Sequence, residues 1–308
     1  GAPASAPKLK VVDDSVTLLV DAPSLFYRAL FSTPDTVRTP AGAPINAAHG
    51  FFRMLARLVE IHDPHHIACA ADENWRPSWR VELIPSYKDV RAAPGSAQEV
   101  AEEKLASQVP IIYGLLEKCG IPVIGHADHE AEDVIGTLAH RAPGRTLIFS
   151  GDRDLFQLVR DPDIAVLYPI RGVSKVDVVD ESYIEARYGI PGRAYRDFAV
   201  LRGDPSDGLP GVKGIGEKIA ATLVARYGDL GTILAEAEGS APSVPLAKVK
   251  QQADYVRRAA TVVTIATDLA LKPADLSRQR GLPRTEIIAT AERVGLKGPI
   301  TALLNALS

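Results

Sequence analysis

The sequence has little sulfur, few aromatic residues and no long apolar run. Only two of its 308 residues are cysteine, and neither belongs to a C-x-x-C pair. This favours buried free thiols at Cys69 and Cys119 over a disulfide or a zinc site, and it fits a reducing cytoplasm. No stretch approaches eighteen consecutive apolar residues, so we expect neither a membrane span nor a membrane partner.

The start of the chain also lacks a targeting signal. Residues 1–14 have no apolar core of the kind that a signal peptide needs, and we expect a disordered leader there. The rest is 46% hydrophobic and 24% charged, which is typical of one large globular domain or two modest ones. The net charge of −3 argues weakly against a nucleic-acid partner, unless many of the acids lie together in one place.

The most informative stretch is TLIFSGDRDLFQL, residues 146–158. An apolar run of strand character ends in a small turn, and Asp152 and Asp154 follow it. In a parallel sheet the carboxyl end of a strand faces the ligand crevice. Two carboxylates there suit a hard cation such as Mg²⁺ or Mn²⁺. The alternative is a solvated loop in which Asp154 caps a helix.

The same arrangement recurs along the first half of the chain. Strand patterns over 15–21, 65–72, 121–124, 146–149 and 164–169 alternate with helical patterns. This predicts an α/β fold whose mostly parallel central sheet has helices on both faces. Asp21 and Asp72 also end strands, so they would reach the same edge as Asp152. Each of them, taken alone, could equally cap a helix or turn.

A third acidic group opens a helix at residues 130–133. Glu130 and Asp133 share one face of an ideal helix, whereas Glu132 points away from Glu130. All three can converge on one site only if Glu130 lies at the cap, outside the regular helix. The alternative is that these acids only complement the helix dipole.

Residues 73–110 combine aromatic side chains with cations. Trp75 and Trp79 lie among basic residues that include Lys88 and Arg91. Bases stack on aromatic rings and phosphates pair with cations, so this composition suits a nucleic-acid strand. An ordinary surface loop would have a similar composition.

From residue 181 onward the patterns are helical. Asp204 and Asp207 lie in a Gly/Pro-rich turn, and a second turn, VKGIGEK, opens an amphipathic helix. Gly214 and Gly216 would let backbone N–H groups approach a phosphate without reading bases. Lys248, Lys250, Arg257 and Arg258 would extend a basic face, or simply form a solvated helix surface.

Several motifs, in collinear order from about residue 15 to 270, resemble the 5′-nuclease family. These are the bacterial 5′–3′ exonucleases, the nuclease domain of DNA polymerase I and the flap endonucleases. The motifs are LLVDAPSLFYRA, YKDVRAAP, HEAEDVIGTLA, SGDRDLFQL and GDPSDGLPGVKGIGEK. The resemblance implies an α/β core over 15–180 with a helical arch inserted at 73–110. It also implies a helical region over 181–308, with a helix–two-turn–helix at about 194–228 and a C-terminal segment that packs back on the core.

The resemblance also implies the roles of individual residues. Lys88 and Arg91 would contact the scissile phosphate. Nine acids would bind metal: Asp21, Asp72, Glu130, Glu132, Asp133, Asp152, Asp154, Asp204 and Asp207. The duplex contacts would be Gly214, Ile215, Gly216, Lys218, Lys248, Lys250, Arg257 and Arg258.

The implied activity is a two-metal, structure-specific 5′ nuclease that serves RNA-primer removal and repair. Its cofactors would be two or more Mg²⁺ or Mn²⁺ ions, with K⁺ at the helix–two-turn–helix. Its partner would be DNA with a 5′ flap, nick or blunt end, or an RNA/DNA hybrid. We expect a stand-alone, monomeric protein associated with the nucleoid. Setting the nine acids aside leaves 35 basic against 29 acidic residues, which suits such a partner.

Two positions depart from the family pattern. Glu132 stands where polymerase-type members have Asp, which lengthens the reach by one methylene. Gly208 replaces an Asn that commonly follows the last Asp of the turn, so the local geometry of that turn needs inspection.

Two other functions compete with the nuclease. A binding protein of the same fold would bind branched DNA without cutting it, but we would expect other residues to replace some of its acids, especially in EAED and SGDRD. A phosphatase of another α/β family would need a second carboxylate soon after the first strand, and Ala22, Pro23 and Ser24 follow Asp21 instead.

Overall fold

A computed structural model describes residues 14–308, so the leader predicted for residues 1–14 lies almost wholly outside the described residues. One six-stranded sheet forms the centre, in the order β3-β2-β1-β4-β5-β6. The strands are β1 (Val16–Asp21), β2 (His66–Ala70), β3 (Val123–Ile124), β4 (Arg145–Phe149), β5 (Ile164–Arg171) and β6 (Lys175–Val179). The first five are parallel, and β6 pairs antiparallel with β5. The predicted mostly parallel sheet is confirmed, and the edge strand β6 is an addition to it.

Helices cover both faces of the sheet, as predicted. They are α1 (Ala22–Ser32), α2 (Asn46–His62), α3 (Ser78–Leu83), α4 (Asp89–Ala92), α5 (Ala97–Leu105), α6 (Val109–Lys118), α7 (Ala131–Arg141), α8 (Glu181–Tyr188), α9 (Tyr195–Arg202), α10 (Glu217–Tyr227), α11 (Leu230–Ala237), α12 (Val244–Gln251), α13 (Ala253–Val263), α14 (Arg284–Arg293) and α15 (Lys297–Ala306). None of these helices is long and apolar enough to cross a membrane.

Alternate residues of the central strands separate two hydrophobic cores. Leu18 and Val20 of β1 pack with α1, α2, α6, α14 and α15 on one face. Leu19 packs with α7 and α9–α13 on the other. Successive side chains of a strand point to opposite faces, so a strand buried on both faces must be apolar along its whole length. This is why β1 shows no polar alternation.

The segment of residues 73–110, called the insertion below, is helical, and its first half is anchored to helix α13. Its helices are α3, α4 and α5. The buried side chain of Arg80 in α3 donates through Nε to the carbonyl of Val262 in α13, at 3.1 Å. The first half of the insertion therefore belongs to the folded core rather than to a free loop.

The C-terminal part returns to the sheet. Helix α15 packs against α2, and residues 276–278, before α14, run antiparallel beside the start of β2. There the Ile67 N–H donates to the carbonyl of Leu276 at 2.8 Å, and the Arg278 N–H donates to that of His65 at 2.8 Å. These bonds form an isolated β-bridge to β2.

Two mid-helix glycines provide a test of this packing. A Cβ on Gly136 of α7 would lie 2.5 Å from the carbonyl oxygen of Ala266, whereas nothing lies within 4 Å of one on Gly114 of α6. We expect Gly136→Ala to lower the free energy of unfolding by about 1–3 kcal/mol. Gly114→Ala should raise it by about 0.5–1 kcal/mol, because alanine restricts the unfolded chain. Urea denaturation measures both. Equal effects of the two changes would contradict the close approach of residue 266 to α7.

Candidate active site

The carboxyl edge of the sheet carries acids that also shape the backbone. Asp21 ends β1, where its Oδ1 accepts the Ser24 N–H at 3.1 Å and caps α1. Its Oδ2 accepts the Ser150 hydroxyl, which comes from the end of β4. Asp72 follows β2 and accepts the Ala131 N–H at 2.7 Å. Asp21 and Asp72 therefore accept backbone N–H groups and also lie at the acidic edge, so the two roles considered for them occur together.

Hydrogen bonds in the turn after β4 give Asp152 and Asp154 different roles. Asp152, rather than Asp154, is the capping residue, because its Oδ1 accepts the Asp154 N–H at 2.8 Å and starts a short 3₁₀ helix. The Ser150 hydroxyl oxygen accepts the Asp152 N–H at 3.0 Å. The alternative that Asp154 serves as a cap is thus wrong, and its side chain is left to face the cleft.

Glu130 lies at the N-cap of α7 with extended backbone, the position that convergence of the three acids requires. Its carboxylate is buried by three donors from the insertion. Arg80 Nη1 lies 2.9 Å and the Tyr87 hydroxyl 2.6 Å from Oε1, while the Lys88 ammonium donates to Oε2. Glu130 therefore joins the insertion to α7.

Asp133 is set apart from the other acids. It is fully buried, and its Oδ1 accepts both Arg80 Nη2 at 3.0 Å and the Ala266 N–H at 2.8 Å. Its Oδ2 accepts the Glu130 N–H at 3.2 Å. With both oxygens engaged away from the cleft, the observed role of Asp133 is to fix the start of α7. Its assignment as a metal ligand stays a prediction.

The Gly/Pro-rich turn brings Asp204 and Asp207 against the base of the insertion. The Lys88 N–H donates to the Asp207 carbonyl at 2.9 Å, and Arg91 pairs with the Asp207 carboxylate. Gly208 has φ of +67°, and a Cβ there would lie 1.7 Å from the Ser86 carbonyl oxygen. Glycine at this position, the second departure from the family pattern, is what allows the two segments to meet.

These groups surround a cavity of about 340 Å³ at the carboxyl edge. Its charged lining is Asp21, Asp72, Lys88, Arg91, Glu132, Asp152, Arg153, Asp204 and Asp207. A small cleft beside it shares three of these acids and adds Glu130 and Asp154. Of the nine predicted acids, eight therefore line one connected acidic region, and Asp133 does not.

Burial raises the pKa of several of these carboxyl groups. Desolvation, reinforced by the nearby Asp72 and Asp152, raises the pKa of Asp21 to about 7. Burial also raises the pKa of Asp72 and of Asp207 to about 6 each. For Glu132 and Asp154 the direction is the same and the cause is again burial, with neighbouring carboxylates adding to it.

The residues present suit a hard divalent cation by their chemistry. All eight acids offer oxygen ligands, and the buried Oε2 of Glu132 has no hydrogen-bond partner. Within residues 14–308, no three His, Cys, Asp or Glu side chains stand close enough to hold an ion as they are placed. Lys88 and Arg91 lie among these carboxylates, where Lys88 pairs with Glu130 and Arg91 with Asp207.

The second turn, after α9, leads into α10. Gly216 is the N-cap residue, with extended backbone and open space around its Cα, and Gly214 has φ of +84°. Ile215 is buried, whereas Lys218 is exposed beside the turn. The structure thus presents an exposed helix start with glycines on either side of one buried anchor.

The distal basic residues make several different contacts. Lys248 donates to the Gly214 carbonyl at 3.1 Å, and Lys250 pairs with Glu238 at 3.2 Å. Arg258 Nη1 donates to the Leu83 carbonyl at 2.8 Å, which ties α13 to α3. Arg257 is exposed. Of this set, only Lys248 contacts the turn directly.

Three residues that hold the acids in place were not predicted as site residues. They are Arg80, Tyr87 and Ser150. Ser150 follows a strand end and could have been inferred from the turn. Arg80 and Tyr87 lie in a run of charged and aromatic residues, and nothing local indicates that their partner, Glu130, is more than forty residues away.

A mostly parallel sheet with helices on both faces defines the class of the protein as α/β, and its acidic cleft lies at the carboxyl edge, where ligands of such sheets bind. Two family models match the chain: "5′–3′ exonuclease, N-terminal resolvase-like domain" over residues 16–189 and "5′–3′ exonuclease, C-terminal SAM fold" over residues 190–282. The chain belongs to the 5′–3′ exonuclease family.

Individual relatives agree with this assignment. A 5′–3′ exonuclease of Streptomyces coelicolor is 44% identical over 301 residues, which are 94% of this chain and the whole of that protein. A 5′–3′ exonuclease of Mycobacterium tuberculosis is 39% identical and covers 95% of this chain and 98% of its own. DNA polymerase I of the same organism is 40% identical over 70% of this chain, but over only 24% of the polymerase.

Solved structures share the fold. Bacteriophage T5 5′-exonuclease with bound zinc has a TM-score of 0.65 at 15% identity, covering 95% of this chain and all of that one. Flap endonuclease-1 of Methanococcus jannaschii has a TM-score of 0.62 at 16% identity, covering 96% and 93%. The α/β fold predicted for the chain is the fold of these nucleases.

The raised pKa values give a test of the acidic region. Aspartate in an unfolded chain has a pKa near 3.9, so between about pH 4 and 7 these carboxyl groups bind more protons in the folded protein than in the unfolded chain. In EDTA, their contribution to the free energy of unfolding should therefore fall as the pH rises through this window. Asp21→Asn removes one such contribution, so the variant should gain about 2–4 kcal/mol of stability relative to the wild type between pH 4 and 7. Urea denaturation of both proteins at a series of pH values measures this, and a difference in the free energy of unfolding that does not change with pH would contradict it.

Proposed function

We propose that the protein is a 5′ nuclease that hydrolyses phosphodiester bonds of DNA. One observation carries the proposal: eight carboxylates from separate segments meet in one region, with Lys88 and Arg91 among the cations at its wall. Like charges at this range repel, so for these acids to stay ionised together near neutral pH they need cations, such as divalent metal ions, beside them. A buried acidic region bordered by basic groups suits a phosphate that must approach a metal.

The eight acids of the connected region would hold two or more Mg²⁺ or Mn²⁺ ions. When bound, such ions lower the pKa of an attached water and stabilise the charge that develops on the leaving oxygen. Glu132 offers the clearest ligand, because its Oε2 is buried without a partner. Asp21 and Asp152 each accept a backbone N–H as capping residues, and these hydrogen bonds keep their carboxylates oriented toward the cleft.

Lys88 and Arg91 would act on the phosphate itself. Burial alone would lower the pKa of Lys88, yet Tyr87 and Glu130 hold it well above its usual value, so the ammonium stays charged. Arg91 is more exposed than Lys88 and reaches the cleft from α4. Both would stabilise negative charge that grows on the phosphate during cleavage.

The two parts of the chain would divide the work. We assign the chemistry to the core of residues 15–180 together with Asp204 and Asp207, and the duplex contact to the rest of the helical region of 181–308, through the turn at Gly214–Gly216 and the N-terminus of α10. Backbone N–H groups at a helix start bind phosphate without reading sequence. The substrates would be duplexes with 5′ flaps, nicks or blunt ends, or RNA/DNA hybrids. The biological duties would be primer removal and repair.

The first experiment tests the chemistry. Purified protein should cleave 5′-flap, nicked or blunt duplexes in Mg²⁺ or Mn²⁺ and not in EDTA. Asp154→Asn should slow single-turnover cleavage about a hundredfold or more. DNA binding should persist or tighten, because a negative charge is lost near phosphates. The matched control is Asp163→Asn, which removes an exposed carboxylate that precedes β5 at the opposite edge of the sheet.

The outcomes separate the two candidate functions. Undiminished cleavage in EDTA would exclude metal-dependent hydrolysis. Tight duplex binding without cleavage in either metal would instead support a non-catalytic protein that binds branched DNA. Equal losses from Asp154→Asn and Asp163→Asn would show that the acidic region has no special role.

The second experiment tests the duplex contact. Gly216→Val should fold normally, since nothing lies within 4 Å of a Cβ at this position. Its side chain would project from the exposed helix start and keep a phosphate away, so the Kd for duplex should rise about tenfold and its salt dependence should flatten. Cleavage at saturating DNA should be unchanged. Gly216→Ala is the graded control and should have a smaller effect. Loss of rate with unchanged Kd would mean that this turn belongs to the catalytic part.

A further inference from the structure

The turn at residues 212–216 is the place where a K⁺ ion is expected in the helix–two-turn–helix. A monovalent cation held by a protein turn is bound by oxygen atoms, mainly backbone carbonyls. A carbonyl oxygen has two lone pairs, so one that already accepts a hydrogen bond has less capacity left for a cation. The groups beside these carbonyls therefore indicate how well the turn can hold one.

Three consecutive carbonyls of the turn already accept protons from the protein. The carbonyl of Val212 accepts the Ile215 N–H at 2.9 Å. That of Lys213 accepts Gln252 Nε2 at 3.4 Å, and that of Gly214 accepts Lys248 Nζ at 3.1 Å. Each of these three oxygens thus has one acceptor position occupied, and that of Gly214 faces a positively charged group.

The Lys248 ammonium lies directly against the backbone of the turn at Gly214. A Cβ on Gly214 would lie only 2.6 Å from Lys248 Nζ, so any larger residue would displace the ammonium. The side chain of Gln252, one helical turn further on, holds the neighbouring peptide, because its Oε1 accepts the Lys213 N–H at 2.8 Å. Lys248 and Gln252 therefore grip the turn together from the end of α12.

We propose that the Lys248 ammonium takes the place of the monovalent cation at this turn, so that duplex binding by this protein does not require K⁺. A K⁺ ion at the Gly214 carbonyl would be repelled by the ammonium, which already donates to that oxygen. The ammonium would instead attract the phosphate directly. The proposal rests on the proposed function, in that this turn is taken to grip DNA.

The test compares two lysines of one helix. Lys248→Met removes the ammonium at the turn, and Lys250→Met removes the same charge two residues away, where it pairs only with Glu238. Fluorescence anisotropy with a labelled duplex, in EDTA to prevent cleavage, gives Kd in KCl and in NaCl at equal ionic strength. We expect the wild-type Kd to agree within about threefold in the two salts. Lys248→Met should weaken binding about tenfold, and Lys250→Met about threefold or less.

Two results would overturn the proposal. One is a wild-type Kd more than about threefold tighter in KCl than in NaCl, which would mean that the turn uses K⁺ after all. The other is an equal increase of Kd in Lys248→Met and Lys250→Met, which would mean that Lys248 contributes only a general positive charge.

A measurement without DNA keeps this inference separate from the proposed function. Hydrogen exchange of the amides of residues 212–216 should accelerate in Lys248→Met but not in Lys250→Met, and added K⁺ should not slow it in the wild type. If the wild type binds no duplex in either salt, the proposed function fails, and this exchange pattern still decides the role of Lys248. Protection in the wild type that rises with K⁺ would overturn the inference.

Discussion

Mutual repulsion among carboxylates is the constraint on which the rest of the structure depends. Two carboxylates about 5 Å apart repel by roughly 3 kcal/mol at an effective dielectric constant near 20. A parallel sheet nevertheless delivers Asp21 and Asp152 to the same edge, because β1 and β4 are neighbours in register. The protein must therefore supply positive charge at that edge, and it does so from outside the sheet.

The insertion supplies that charge, and this explains why its first half is buried. Lys88 reaches Glu130, Arg91 reaches Asp207, and Arg80 joins Glu130 to Asp133. Removing one partner of a buried ion pair leaves an uncompensated charge and is strongly destabilising, by about 3–5 kcal/mol. The cations that face the proposed substrate and the cations that stabilise the metal-free fold are consequently drawn from one segment.

Part of this arrangement follows from the sequence alone. Strand periodicity places Asp21, Asp72 and Asp152 at one edge, because a parallel sheet leaves no other possibility. Helix geometry allows Glu130, Glu132 and Asp133 to converge only if Glu130 lies at the cap; Glu130 does lie there, but Asp133 stays apart from the other two. The burial of Arg80 and the separate environment of Asp133 could not be predicted, since both depend on contacts with α13 and with residue 266, far along the chain. The antiparallel edge strand β6 was missed because it is short, half-exposed and paired on one side only.

The two turns after α9 connect the acidic region to the proposed duplex contact through a short stretch of fixed backbone. Asp204 and Leu209 exchange both of their backbone hydrogen bonds, at 2.8 and 2.9 Å. The Val212 N–H then donates to the Leu201 carbonyl at 3.0 Å, and the Gly211 N–H to the Tyr255 hydroxyl at 2.9 Å. The distance from Asp204 to the second turn is thus set by hydrogen bonds and not by a flexible linker. A duplex held at the second turn would meet the acids at one fixed offset, which is the property that a nuclease needs to cut at a defined position without reading bases.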